Sequence, residues 1–133
     1  MIEKIRAIII AVRDFDAAAE RYATVLGLKP KIIIYEGEGI KVASFSIGES
    51  EIELISPLKT GIPIDKFINT RGEGVFAISL QVTDIDNDMK ELTERGLRFL
   101  TEEPLIDELG TRYAYTHPKS MHGVEFELSQ PRG

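Results

Sequence analysis

Apolar and polar positions along the chain follow two rhythms, one of period two and one of period near 3.6, and the pair of rhythms occurs twice. Residues 4–12 are β-branched and apolar, the pattern of a strand buried on at least one face. Phe15, Ala18, Ala19, Tyr22 and Leu26 then recur at helical spacing, with Asp14 placed to cap the start and Gly27 to stop the end. Strands are expected over 31–35 and 40–47 around the turn Glu36-Gly37-Glu38-Gly39, and over 51–56, where polar and apolar residues alternate. Pro63 can open one short helix over 63–69. The second half begins with a strand over 75–82. A helix follows, capped by Thr83 or Asp84, with Ile85, Met89 and Leu92 on one face. Strands over 98–101, 112–116 and 124–129 complete it, with 102–110 read as an acidic, Pro- and Gly-containing loop.

The halves echo each other in register. Ala7-Ile8-Ile9-Ile10-Ala11-Val12-Arg13-Asp14-Phe15-Asp16 returns seventy residues later as Ala77-Ile78-Ser79-Leu80-Gln81-Val82-Thr83-Asp84-Ile85-Asp86. Glu51-Ile52-Glu53-Leu54 returns as Glu125-Phe126-Glu127-Leu128. Each half therefore reads as one strand, one helix and three strands. The fold class is α+β: a single domain over 1–133 made of two tandem βαβββ repeats, about 1–60 and 72–133.

Strand alternation sorts the side chains. Ile8, Ile10 and Val12 should pack under the helices, and so should Ile78, Leu80 and Val82. Ala7, Ile9 and Ala11, with Ala77, Ser79 and Gln81, face the other way. Glu51 and Glu53 share a face, as do Glu125 and Glu127. Small residues mixed with carboxylates are an odd composition for a solvated sheet face, and a ligand pocket accounts for both together. The candidate pocket residues are Ala7, Ile9, Ser44, Ala77, Ser79, Gln81, Arg112 and Tyr115.

Composition narrows the chemistry. Sixteen basic against twenty-two acidic residues, net −6, argue against nucleic acid as a partner. The chain has no Cys, so thiol nucleophiles and thiolate metal sites are excluded. No apolar run approaches the ~20 residues of a membrane span. A cytoplasmic location, without nucleic acid or membrane as partner, is the expectation. His117 and His122 are the only imidazoles; five apart in an expected turn, they read as surface or capping residues.

A family resemblance rests on residues 5–12, on Glu53-Leu54-Ile55-Ser56-Pro57-Leu58, on 72–80, on Glu103-Pro104, on His117-Pro118-Lys119-Ser120 and on 123–128. In these the chain resembles the vicinal oxygen chelate superfamily of glyoxalase, bleomycin-resistance and extradiol dioxygenase relatives, and within it the methylmalonyl-CoA epimerase-like branch. The resemblance implies an open, mostly antiparallel, barrel-like sheet with helices outside. It also implies a homodimer; Ile32-Ile33-Ile34-Tyr35 is a stretch that could join chains, although an ordinary buried strand is the preferred reading. Finally it implies a divalent metal held by two His, one Gln or Glu, and one Glu. Carried over position by position, these ligands fall on Ala7, Glu53, Ala77 and Glu127, so both carboxylates remain and both imidazoles are absent. The family's catalytic carboxylate falls on Val42, and the loop over 105–110 departs from the family's glycine-rich form.

Alanine has no lone pair, and mid-period metals draw much of their affinity from imidazole. No cofactor is expected, beyond a weak divalent cation at Glu53 and Glu127. Three functions are in play. One is a metal-free enzyme, isomerase or lyase, acting on a carbonyl or acyl-thioester. In it Glu53 and Glu127 are acid and base, and Ser44, Ser46, Ser79, Gln81 or Tyr115 is the oxyanion donor. The second is a protein that binds a small organic ligand such as an acyl-CoA without chemistry. The third is a metal-dependent epimerase or glyoxalase-type enzyme with a rescued site. Against all three stands a structural role in which Glu53 and Glu127 bond each other or Arg112.

Overall fold

A computed structural model describes residues 1–132. Its contacts divide the chain into two compact units, one of residues 7–76 and one of residues 1–6 together with the chain from Ala77 onward. The first strand, β1 (Ile2–Ala11), contributes to both.

The unit of residues 7–76 holds the rest of β1, α1 (Phe15–Leu26), β2 (Lys31–Tyr35), β3 (Ile40–Ile47), β4 (Ser50–Pro57) and α2 (Pro63–Arg71). Its strands lie in the order β2-β3-β4-β1, with β1 parallel to β4 and the other pairs antiparallel. Asp14 caps α1 by accepting from the Ala17 N–H, and Gly27 ends the helix at φ 69°. The α1 face packs on the sheet through Val12, Phe15, Ala19, Ala43, Phe45 and Leu54, with Ile10 and Ile52 alongside. Ile10 and Val12 thus lie on the helix side as expected. β2 differs from the preferred reading of a buried strand. It lies at the end of this strand order, and Ile32 and Ile34 are 53% and 49% exposed.

α2 is tied to the end of β1 by polar groups. Asp65 accepts from the Gly61 N–H and from Arg13 Nη1, and Arg13 also reaches Asn69 Oδ1 and, through its backbone N–H, Glu73. The Gly61 N–H and the Arg13 guanidinium hold the Asp65 carboxyl below the ordinary range. A depressed folded pKa contributes stability that is complete above the unfolded value, about 4, and is lost as pH falls through the folded one. Asp65→Asn should therefore lower the urea midpoint near pH 6. Its difference from wild type should shrink on acidification below about pH 4; a gap that stays constant to pH 2 would contradict this.

The other unit holds β5 (Gly74–Val82) from Ala77 on, α3 (Ile85–Glu94), β6 (Leu105–Ile106), β7 (Arg112–Tyr115), a 3-10 turn (Pro118–Met121) and β8 (Phe126–Gln130). Its strand order is β5-β8-β7-β6, with β5 parallel to β8 and the rest antiparallel. Asp84 rather than Thr83 caps α3, accepting from the Asn87 N–H. Val82, Ile85, Met89, Ala114 and Leu128 form the core, joined by Leu80, Leu92 and Phe99.

Two expectations fail here. The strand expected over 98–101 is only an isolated bridge, Phe99 to Thr116. Thr101 turns its hydroxyl onto the Glu103 carbonyl at 2.7 Å and bends the chain away. The expected loop over 102–110 instead contains β6. Asp107 makes that strand possible: its carboxylate accepts from the N–H groups of Leu109 and Thr111, closing a turn that folds Leu105–Ile106 onto β7. Each unit therefore carries one βαβββ repeat, and no helix among the described residues is long and apolar enough to cross a membrane.

Candidate functional site

The two halves present the same ladder on the sheet face away from the helix core. In the unit of residues 7–76, β1 and β4 pair Ala7 with Glu51 and Ile9 with Glu53. In the other unit, β5 and β8 pair Ser79 with Glu127, so Ala77 falls level with Glu125. The sequence echo is thus an echo of cross-strand partners. Ala7 is 0% and Ala77 1% exposed.

The first constellation is compact and carbon-rich. Ile9, Val42, Ser44 and Ile55 are buried, and Glu51 and Glu53 are half-buried. Glu53 sits opposite both Ile9 on β1 and Ser44 on β3. The Ser44 hydroxyl donates to Glu51 Oε2 at 2.6 Å. Val42, at the family's catalytic-carboxylate position, pairs with Ile55 and Ile33.

The second constellation is polar and tightly bonded. Ser79, Glu127 and Tyr115 are aligned across β5, β8 and β7. Glu127 is 7% exposed. Its Oε1 accepts from the Ser79 hydroxyl at 2.6 Å and lies 3.3 Å from Arg6 Nη2, while Arg6 Nε donates to Ser79 Oγ at 3.0 Å. Burial, the Glu127 charge and a hydrogen bond to Glu127 push the Tyr115 phenol well above its usual range. Tyr115 is therefore a lasting hydrogen-bond donor rather than a base. Gln81 Nε2 donates to Glu3 Oε1 at 3.3 Å.

Arg112 is not part of this cluster. Both of its terminal nitrogens bind Asp86 on α3 at 2.9 Å, which holds the Asp86 carboxyl below its ordinary range. The expected alternative of Glu127 bonded to Arg112 is corrected: the guanidinium on Glu127 belongs to Arg6. Sequence reading missed Arg6, because strict alternation groups it with Ile8 and Ile10. A usable signal was present, since a charge inside the run from Ile5 to Val12 needs a carboxylate partner. His117 caps the 3-10 turn, its Nδ1 accepting from the Lys119 N–H at 3.1 Å, and His122 is exposed with φ 55°.

Comparison with known proteins follows the same lines. A family model described as the glyoxalase/bleomycin resistance protein/dioxygenase superfamily matches residues 7–115. An ethylmalonyl-CoA/methylmalonyl-CoA epimerase of Cereibacter sphaeroides is 35% identical over 98% of this chain and 99% of its own length. Among solved structures, a hypothetical protein from Bacillus halodurans C-125 superposes with a TM-score of 0.92 at 35% identity, covering 98% of this chain and 95% of that one. A methylmalonyl-CoA epimerase from Streptomyces coelicolor, in complex with 2-nitronate-propionyl-CoA, also reaches 0.92 at 30% identity, covering 100% and 97%. With the βαβββ repeat in each half and relatives that are methylmalonyl-CoA epimerases, the chain belongs to the glyoxalase/bleomycin resistance/dioxygenase superfamily.

Proposed function

We propose that this protein binds an acyl-CoA-type small molecule without a divalent metal, and that binding rather than epimerisation is its activity. The carrying observation is the state of the four positions to which the resemblance assigns metal ligands. Ala7 and Ala77 are buried methyl groups with no lone pair, and Glu127 Oε1 is already engaged by Ser79 and a guanidinium. A second cation on that oxygen would meet the charge of Arg6. This donor set does not fit a mid-period metal.

The candidate oxyanion donors favour binding over chemistry. Ser44 gives its proton to Glu51, Ser79 gives its own to Glu127, Gln81 donates to Glu3, and Tyr115 is bonded to Glu127. An enolate needs donors aimed at its oxygen, and these four are aimed at carboxylates; Ser46, the fifth candidate, is exposed on β3. The acyl-CoA class comes from the relatives: the Streptomyces coelicolor epimerase was solved with an acyl-CoA analogue. A homodimer and a cytoplasmic location complete the reading; the exposed Ile32 and Ile34 of β2 support the former.

Three measurements on one preparation test it. Protein purified without chelator should carry no stoichiometric transition metal. Methylmalonyl-CoA should raise the melting temperature by several degrees, because ligand at a hundred times Kd adds about 2.7 kcal/mol. In deuterated water the bound ligand should gain no deuterium at its α-carbon. Stoichiometric metal, or wash-in that Glu53→Gln and Glu127→Gln each abolish without loss of binding, would overturn the reading in favour of an enzyme.

A further inference from the structure

Arg6 is the only charged residue between Ile5 and Val12, and its guanidinium is drawn into the protein. It closes a ring of three groups: Arg6 Nε to Ser79 Oγ, Ser79 Oγ to Glu127 Oε1, and Arg6 Nη2 to that same oxygen. The Arg6 side chain is 21% exposed and that of Glu127 10%. At such burial a carboxylate is stable in its charged form only with an opposite charge and hydrogen bonds, and here it has both.

Glu127 is also the retained carboxylate at the last of the four positions that the resemblance assigns to a divalent ion. We infer that Arg6 is the built-in cation of this site, standing on Glu127 in place of the divalent metal. The inference rests on the metal-free reading above and adds its cause: the metal is displaced by a charge on the chain itself as well as lost with its imidazoles. A guanidinium has directional N–H donors and a permanent charge, but it coordinates nothing and cannot polarise a carbonyl as a Lewis acid does. It does keep the buried carboxylate from repelling an anionic ligand. The site is thereby unsuited to chelate chemistry.

The test is a Co2+ titration followed by calorimetry and visible absorption. It compares wild type, Ala77→His, and Ala77→His combined with Arg6→Met or with Arg6→Lys, all substitutions within the unit that holds Glu127. Circular dichroism and melting curves establish that each variant is folded. The Ala77→His protein should bind Co2+ at least about tenfold more weakly than the same protein with Arg6→Met. Arg6→Lys, which keeps the charge, should retain the weak binding. Equal affinity with and without Arg6→Met overturns the inference, and so does Arg6→Lys behaving like Arg6→Met.

Wild type supplies an arm that needs no substitution. The Arg6 Nε–H resonance should stay unbroadened in millimolar Co2+, and paramagnetic loss of that signal overturns the inference. Failure of the underlying reading looks different, as stoichiometric metal in wild type as purified.

Discussion

Arg6→Met is expected to lower the unfolding free energy by about 2–3 kcal/mol near neutral pH, read from urea midpoints at unchanged slope. The substitution keeps an apolar stem in place and removes the charge. Glu127, 7% exposed, is left with its negative charge and no guanidinium. The Ser79 hydroxyl and the Tyr115 phenol remain as donors, which is why the loss is set below the upper end of the range for a broken buried pair. Two controls separate the ion pair from packing. Glu127→Gln in the Arg6→Met background should restore part of the loss, giving a coupling energy in the double-mutant cycle. Arg6→Lys, which keeps the charge beside Glu127, should also lose less than Arg6→Met by the same measurement. A loss under about 0.5 kcal/mol with no coupling would mean that Arg6 is incidental to the fold.

Phe45→Ala should cost more, about 3–5 kcal/mol. Phe45 is fully buried on β3, within the cluster of Val12, Phe15, Ala19, Ala43 and Leu54. Its ring stands 6.2 Å from that of Tyr22, tilted by 37°. Truncation removes a large apolar surface and leaves a cavity between α1 and the sheet, which a β-strand backbone cannot collapse to fill. Ile34→Ala, next to the last residue of β2 and half-exposed, should cost under about 1 kcal/mol by the same measurement. If the two losses proved equal, the assignment of the core to the α1 face would be wrong.

Both substitutions bear on what the sequence makes legible. The α1 face was readable because local signals agree: helical spacing from Phe15 to Leu26, an Asp14 cap and a Gly27 stop all point to one helix. The parity of β1, β4, β5 and β8 was readable for the same reason, and it placed Ala7, Glu53, Ala77 and Glu127 on faces away from the helix cores. β6 was not readable. Leu105 and Ile106 are too few to show a period, and the strand depends on the Asp107 carboxylate bending the chain back. Arg112 was misplaced for a simpler reason: alternation along β7 groups it with Ala114, a core residue on the α3 side, and its partner there is Asp86. Arg6 escaped because a long side chain can leave the direction that its Cβ sets. Pattern analysis sees where a side chain starts, and an ion pair depends on where it ends.

Arg6 and Glu127 are 121 residues apart in the chain. Residues 1–6 group with the unit that begins at Ala77, whereas 7–76 make their own set of contacts. During synthesis the guanidinium therefore emerges long before its carboxylate exists, and it must wait while the intervening polypeptide is made. Contacts of such long range are closed late and slowly. Ribosome-released fragments that stop short of β8 should hold β3 and β4 against α1 yet leave Arg6 without its Glu127 partner, making this ion pair a timestamp for completion of the fold.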